Sequence, residues 1–371
     1  MSKSRIVENF IELAKLNSLS FGEREVADKI KALLAEIGIE AYEDDVADTI
    51  GGNSGNVYAV WKGTLEKEPI LLSAHMDTVA PGIGKKPVFS DDDSVIKSDG
   101  TTVLGADDVA GVVEIIEGIR RVIEKGAEHR TIELLFPAAE EVYTKGAAEF
   151  DYSKLNSKEA YCFDLSGDVG SAATRAPSLI SFKVTVHGKA SHAGFAPDEG
   201  INAILIASKA IADIKQGQVD ELSTVNVGKI SGGTATNIVS DTCICEGEVR
   251  SFNHDKALNY VNEIKDKFAD ITAKHNASID FDYTIHIKAY EIESEESVVT
   301  RFQDACESIG ISGKLTSTLG GSDNNQFNAN GIRGIVVACG MEKSHTLEEY
   351  VKIENLHKGA ELVEKLILSE D

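Results

Sequence analysis

His75 and Asp77 form a His-x-Asp pair directly after the apolar run 69–73. Glu140-Glu141 follow the run 132–136, Asp164 ends the run 160–163, and His345 comes soon after the run 334–339. A further acidic pair, Asp107-Asp108, opens a stretch with helical spacing. Imidazole nitrogens and carboxylate oxygens are the donors that zinc and similar divalent ions take. Two histidines and three carboxylates serve two such ions if one carboxylate is shared. Two divalent cations against three carboxylates and a hydroxide leave roughly no net charge, which lowers the cost of burying them. Neighbouring glutamates face differently, so one of Glu140-Glu141 can hold metal while the other moves protons.

Singly, each of these residues has an ordinary explanation. Asp before a helix is a good cap, His-x-Asp is commonplace, and Glu-Glu after a strand can be a solvated pair. Their joint placement carries the argument. In open α/β sheets, ligands bind beyond the carboxyl ends of the strands. Four apolar runs that each lead to a metal-ligand residue type read as four strands ending at one sheet edge. His75 and Asp77, two apart at a strand end, point the same way, so Asp77 is placed to orient the imidazole.

The surrounding elements fit that reading. Helical spacing covers 5–17 and 22–38, and strands are predicted near 39–44, 56–62 and 69–74. Residues 109–125 carry apolar positions three and four apart and end at Gly126, which predicts a buried-face helix. From Ser178 the order becomes strand 179–187, helix 200–215, strands 223–230 and 241–251, helix 255–275 and strand 278–287. That βαββαβ order is the ferredoxin-like split motif. The helix–strand rhythm then resumes and supplies His345. The expected fold is α/β: a mostly parallel-sheet catalytic domain, residues 1–176 and 289–371, with an α+β ferredoxin-like domain, 177–288, inserted as a lid.

Bulk properties exclude several classes. A chain of 371 residues is long enough for two domains. The net charge of −24 and the lack of a Lys/Arg cluster argue against nucleic acid, whose binding needs basic patches. No apolar stretch approaches the roughly 18 residues of a membrane span. The start, Met1 to Glu8, has no apolar core, so no signal peptide is expected. Five cysteines, an odd number, fit reduced thiols and a cytoplasmic location. Cys243-x-Cys245 reads as packing and Asp91-Asp92-Asp93 as a solvated turn, because neither has metal-loop spacing. No Gly-x-Ser-x-Gly elbow supports a serine hydrolase.

The ordered series His75-x-Asp77, Gly105-x-x-Asp108, Glu140-Glu141, Asp164 and His345 resembles the zinc exopeptidases and deacylases that include aminoacylase, carboxypeptidase G and peptidase T. The resemblance spans nearly the whole chain. Segment 99–111 and Gly320-Gly321-Ser322-Asp323 resemble specifically the peptidase T branch, the tripeptide aminopeptidases. It implies that His75, Asp107 and Asp164 hold one zinc, and that Asp107, as a bridge, holds the other with Glu141 and His345. Asp77 would orient His75, and Glu140 would be the general base for a metal-activated water. It further implies a cis peptide between Asp107 and Asp108. His192, in the segment 188–194, resembles the histidine that polarises the scissile carbonyl. Asn237 and Arg250 resemble residues that grip the substrate backbone and carboxylate.

The implied activity is therefore a dizinc aminopeptidase acting on short peptides, a tripeptidase releasing the N-terminal residue, with a homodimer formed through the lid. A carboxypeptidase, a dipeptidase and an N-acyl-amino-acid deacylase share this chemistry and stay open. A catalytically silent metal-binding scaffold is a different class, and retention of Glu140 argues against it. The chain departs from the pattern at Val109, where relatives commonly have Lys, and at Tyr143 and Leu165, where Gly is usual. These departures affect pocket shape rather than the ligand set.

Overall fold

The computed structural model describes residues 4–370, which divide into two compact units. One comprises the chain up to Arg175, Glu291–Thr318 and the segment from Ser322 onward; the other comprises Ala176–Tyr290 with Leu319–Gly321.

The first unit is built on a nine-stranded sheet. Four adjacent strands form its centre, in the order Ile132–Phe136, Ile70–Ser73, Glu159–Leu165 and Arg333–Ala338, all parallel. The Ile70–Ser73 and Ile132–Phe136 strands are buried along their whole length, as expected for strands covered on both faces. Their register is flush. Ile70 lies opposite both Ile132 and Glu159, and Arg333 lies opposite Glu159. The four carboxyl ends therefore reach one edge together, and the residues that follow them emerge side by side. Val57–Trp61 and Ser171–Ala176 flank this core antiparallel.

The helix Ala106–Lys125 lies against the core, but Asp107 (ψ 97°) and Asp108 (φ −125°) have non-helical torsions, so its regular turns begin at Val109. Gly111 allows that first turn to sit on the Glu159–Leu165 strand. A Cβ there would lie 2.4 Å from the Phe163 carbonyl oxygen. Sequence spacing did not predict a second, four-stranded sheet of very short strands: Val88–Phe89, Val95–Lys97, Met341–Glu342 and Tyr350–Lys352. Met341–Glu342 and Tyr350–Lys352 pair antiparallel, which makes the segment carrying His345 the loop between them. Asp91-Asp92-Asp93 is a turn between two of these strands, with its residues exposed.

The second unit has an antiparallel sheet in the order Gly217–Asp220, Ser223–Gly232, Thr242–Ser251, Ser178–His187 and Ser278–Ile287, with helices Ala203–Ala212 and His254–Lys274. Omitting the first strand gives the ferredoxin-like order expected from the spacing. The Gly217–Asp220 edge strand is a correction to the four expected. With one apolar residue among four, it carries no alternation to read. Cys243 and Cys245 are fully buried in this unit's core beside Val184, Val186 and Phe268.

Candidate metal centre

Beyond the shared edge of the parallel strands, six side chains converge in the first unit. His75 Nε2 lies 2.9 Å from Asp107 Oδ1 and 3.7 Å from Asp164 Oδ1. His345 Nε2 lies 2.8 Å from Glu141 Oε1 and 3.3 Å from Asp107 Oδ2. The two oxygens of Asp107 thus face different histidines. Glu140 Oε2 stands 4.0 Å from His75 Nε2. Two overlapping trios, His75–Asp107–Glu141 and His75–Glu140–Asp164, have donor atoms mutually within 4.8 Å. The ligand sets implied by the resemblance cut across these trios: His75 is the member the two trios share, Asp107 the member the two implied sets share.

The neighbours in each acidic pair have separate contacts. Asp108 turns away from the cluster, accepting from the His75 amide through Oδ2 (3.1 Å) and from the Gly111 amide through Oδ1 (3.3 Å). It therefore caps the helix and pins the His75 backbone while Asp107 faces the imidazoles. The peptide between them is cis. Asp77 faces His75 Nδ1 at 3.4 Å, longer than a well-formed hydrogen bond. Its stronger bonds are to the turn that carries the glutamates: Oδ1 accepts from the Glu140 amide (2.8 Å) and Oδ2 from the Glu141 amide (3.1 Å).

The electrostatics describe a trap for positive charge. The Asp107 and Glu141 carboxylates push His345 up to about 10. Burial works to lower the His75 pKa, but the bond to Asp107 and the nearby carboxylates of Asp164 and Asp77 hold it above the usual imidazole range. Burial also raises Asp107, yet the hydrogen bonds from His345 and His75 prevail and hold it below the usual carboxylate range. Asp164 is pushed to about 6, chiefly by burial. Burial, then the nearby Asp164 charge, raises Glu140 well above an ordinary glutamate. Buried carboxylates at this density demand cationic partners, and their oxygens with two imidazole nitrogens are a donor set suited to divalent metal.

Several residues around the cluster have no signal in sequence spacing. Ser20 Oγ donates to Asp77 Oδ2 (2.7 Å), and Glu23 Oε1 accepts from the Ala139 amide (3.0 Å), so an N-terminal segment braces the glutamate turn. Glu349 accepts from three backbone amides next to Asp107. Asp323, at the end of the Gly-Gly-Ser-Asp motif, is buried, and burial raises its pKa well above the usual range. Tyr143 follows the glutamates in left-handed backbone (φ 74°), a conformation that explains why Gly suits this position.

The other three predicted residues lie in the second unit. His192 Nδ1 accepts from the Gly194 and Phe195 amides, each at 3.1 Å, which in a neutral ring puts the proton on Nε2. The Ala193 amide donates to the Asn237 carbonyl (2.9 Å), so the His192 and Asn237 segments lie together. Arg250 lies elsewhere. Its strand residue pairs with Leu179, whereas the His192 segment follows His187 at the opposite end of that strand. Arg250 is ion-paired to Glu248 (2.8 Å) and donates to the Leu319 carbonyl (2.9 Å). Among the described residues, no helix is long and apolar enough to cross a membrane.

Comparison with known proteins agrees with this architecture. The peptidase dimerisation domain pattern matches residues 175–277, and the peptidase family M28 pattern matches residues 56–193. The chain is 35% identical over 367 residues to YqjE of Bacillus subtilis, a protein named as uncharacterized, covering 99% of this chain and 98% of that one. The solved aminopeptidase PepT of Bacillus cereus is 35% identical with a TM-score of 0.91, covering 98% of this chain and 97% of its own. A solved tripeptidase of Staphylococcus aureus is 34% identical with a TM-score of 0.94 and the same coverage. With its parallel-sheet unit, inserted antiparallel unit and cluster of imidazoles and carboxylates, the chain belongs to the peptidase T-like branch of the M20 metallopeptidase family, the family of aminoacylase and carboxypeptidase G.

Proposed function

We propose that this protein is a dizinc aminopeptidase that removes the N-terminal residue from short peptides, tripeptides above all. The observation that carries the two-metal reading is the divided carboxylate of Asp107, with Oδ1 toward His75 and Oδ2 toward His345. His75, Asp107 and Asp164 would hold one ion, and Asp107, Glu141 and His345 the other. Bound ions supply Lewis-acid polarisation of the scissile carbonyl and activation of water.

The chain's own groups do the rest. Glu140 takes the proton of the attacking water and returns it to the leaving amine. It stands 4.0 Å from His75 within the cluster, close enough to serve a water held there. Asp77 orients His75 and, through the amides of Glu140 and Glu141, keeps base and ligand on their separate courses. His192 presents an Nε2–H to the substrate carbonyl oxygen and Asn237, beside it, grips the peptide backbone. Arg250, at the opposite end of the strand, grips the carboxylate of a peptide whose His192 and Asn237 come from the other protomer of the homodimer. The inserted unit acts as lid and homodimer surface. A cytoplasmic location fits reduced cysteines, and all five are free in the structure.

The 34–35% identity to an aminopeptidase and a tripeptidase supports a free amino terminus on the substrate. Mass spectrometry of matched tripeptides, free and N-acetylated, tests it. The expected result is loss of one N-terminal residue from the free peptides only, abolished by chelation and restored by zinc. Cleavage of the acetylated set, or release from the carboxyl end, would replace this reading with a deacylase or carboxypeptidase.

A further inference from the structure

Glu349 lies four residues after His345, in the loop that closes the Met341–Glu342 and Tyr350–Lys352 pair. It is 1% exposed, and its carboxylate is spent on another loop. Oε2 accepts from the Leu104 amide (2.6 Å) and the Gly105 amide (2.8 Å), and Oε1 accepts from the Asp107 amide (2.9 Å). Its own carbonyl accepts from the Ser98 amide (3.0 Å). One side chain therefore joins the segment bearing the divided carboxylate to the segment bearing His345.

The opposite side of the 104–107 turn is closed by Lys85. Gly105 is in left-handed backbone (φ 74°), and a Cβ there would lie 3.2 Å from Lys85 Nζ. Lys85 is 3% exposed and donates to Ser18 Oγ (3.2 Å). Burial pushes its ammonium down to about 8, and Glu349 is the charge that opposes the loss. A carboxyl group on three amides and a buried lysine against Gly105 hold the turn between them, although burial raises the Glu349 carboxyl to about 7.

We infer that Glu349 is a positioning residue for the metal centre, one that sets Asp107 against both histidines by locking the 104–107 turn to the His345 loop. This rests on the two-metal reading above. Three amides of one short turn bonded to a single buried side chain fix that turn to the His345 loop. Glu349→Gln keeps the shape but replaces one acceptor oxygen with an NH2 group. In either orientation that NH2 opposes at least one backbone N–H, so at least one of the three bonds is lost.

Glu133 provides a matched control. It is also 1% exposed and also accepts from successive amides, those of Asn156 and Ser157 at 2.9 Å each. It lies on the Ile132–Phe136 strand at the end opposite the glutamate turn. Glu133→Gln disturbs a buried carboxylate–loop clamp without touching the cluster.

The experiment titrates metal-stripped wild type, Glu349→Gln and Glu133→Gln with cobalt(II), reading visible absorbance and binding heat, with thermal melts of all three. Glu349→Gln is expected to weaken at least the weaker binding step by about 10- to 100-fold and to alter the cobalt spectrum. Glu133→Gln is expected to lose stability with wild-type metal affinity. A shift of less than about tenfold in Glu349→Gln, or an equal loss in Glu133→Gln, overturns the inference. Wild type that fails to take up a second ion overturns the two-metal reading itself, a separate outcome. If Glu349→Gln does not fold, Glu349→Asp, which keeps the charge but withdraws it by one methylene, is titrated under the same criterion.

Discussion

The His75 side chain is 1% exposed, whereas that of His345, in the same cluster, is 50% exposed. His75 follows a buried central strand, and its backbone amide is pinned by Asp108. His345 sits in a loop between two-residue and three-residue strands, with left-handed backbone (φ 64°). The sheet core therefore places one half of the centre, while loop hydrogen bonds, those of Glu349 among them, place the other. Asp107 belongs to both halves. A site built this way has a rigid side and an adjustable side, and the two should respond differently to substitution.

The largest effect lies on the rigid side, where Glu140 is buried beside His75. Glu140→Gln keeps size and hydrogen bonding but cannot accept and return a proton. Turnover should fall by about 10²–10⁴-fold with metal content, fold and peptide binding retained. Glu141→Ala should instead lose metal together with activity, because Glu141 faces His345 in the proposed second ligand set. Near-normal turnover in Glu140→Gln, measured alongside metal analysis, would remove it as the base.

A smaller effect separates the two histidines in metal-free protein. His75→Ala takes the imidazole away from the buried carboxylates of Asp107 and Asp164, and leaves a cavity. Such losses typically cost about 1–3 kcal/mol. His345→Ala also removes a cationic partner of Asp107 and Glu141, but at a half-exposed loop where water can reach them, and should cost less than His75→Ala. Chemical denaturation after chelation measures both. Equal destabilisation would mean that the sheet supports both sides alike, and the contrast between the halves would be lost.

The same contrast explains what could be read before any coordinates. Residues 69–73, 132–136, 160–163 and 334–339 are mostly apolar runs, broken at Ser73 and Glu133, because parallel strands are covered on both faces, and their register brings His75, Glu140-Glu141 and Asp164 to one edge. The inserted unit was equally legible, since its long strands and helices have regular spacing. Strands of two or three residues such as Val88–Phe89 and Tyr350–Lys352 have no period to detect; the flanks of Asp91-Asp92-Asp93 read as short strand-like pieces, but nothing in the spacing joined them to the segment around His345. Glu348-Glu349 looks like any solvated acidic pair. Only the fold shows that Glu348 pairs with Lys343 at the surface while Glu349 turns inward to the Asp107 loop. The cis bond at Asp107–Asp108 was expected through family resemblance, not through anything the spacing of residues expresses.

The claim that one carboxylate serves both halves is tested most directly by metal stoichiometry at saturation, in wild type, His345→Ala and Asp107→Ala, each measured by calorimetry and elemental analysis. A bridged centre predicts about two ions in wild type, about one in His345→Ala, where the His75 side keeps its ligands, and none held tightly in Asp107→Ala. Asp107→Ala that still binds two ions, or wild type that saturates at one, would contradict it.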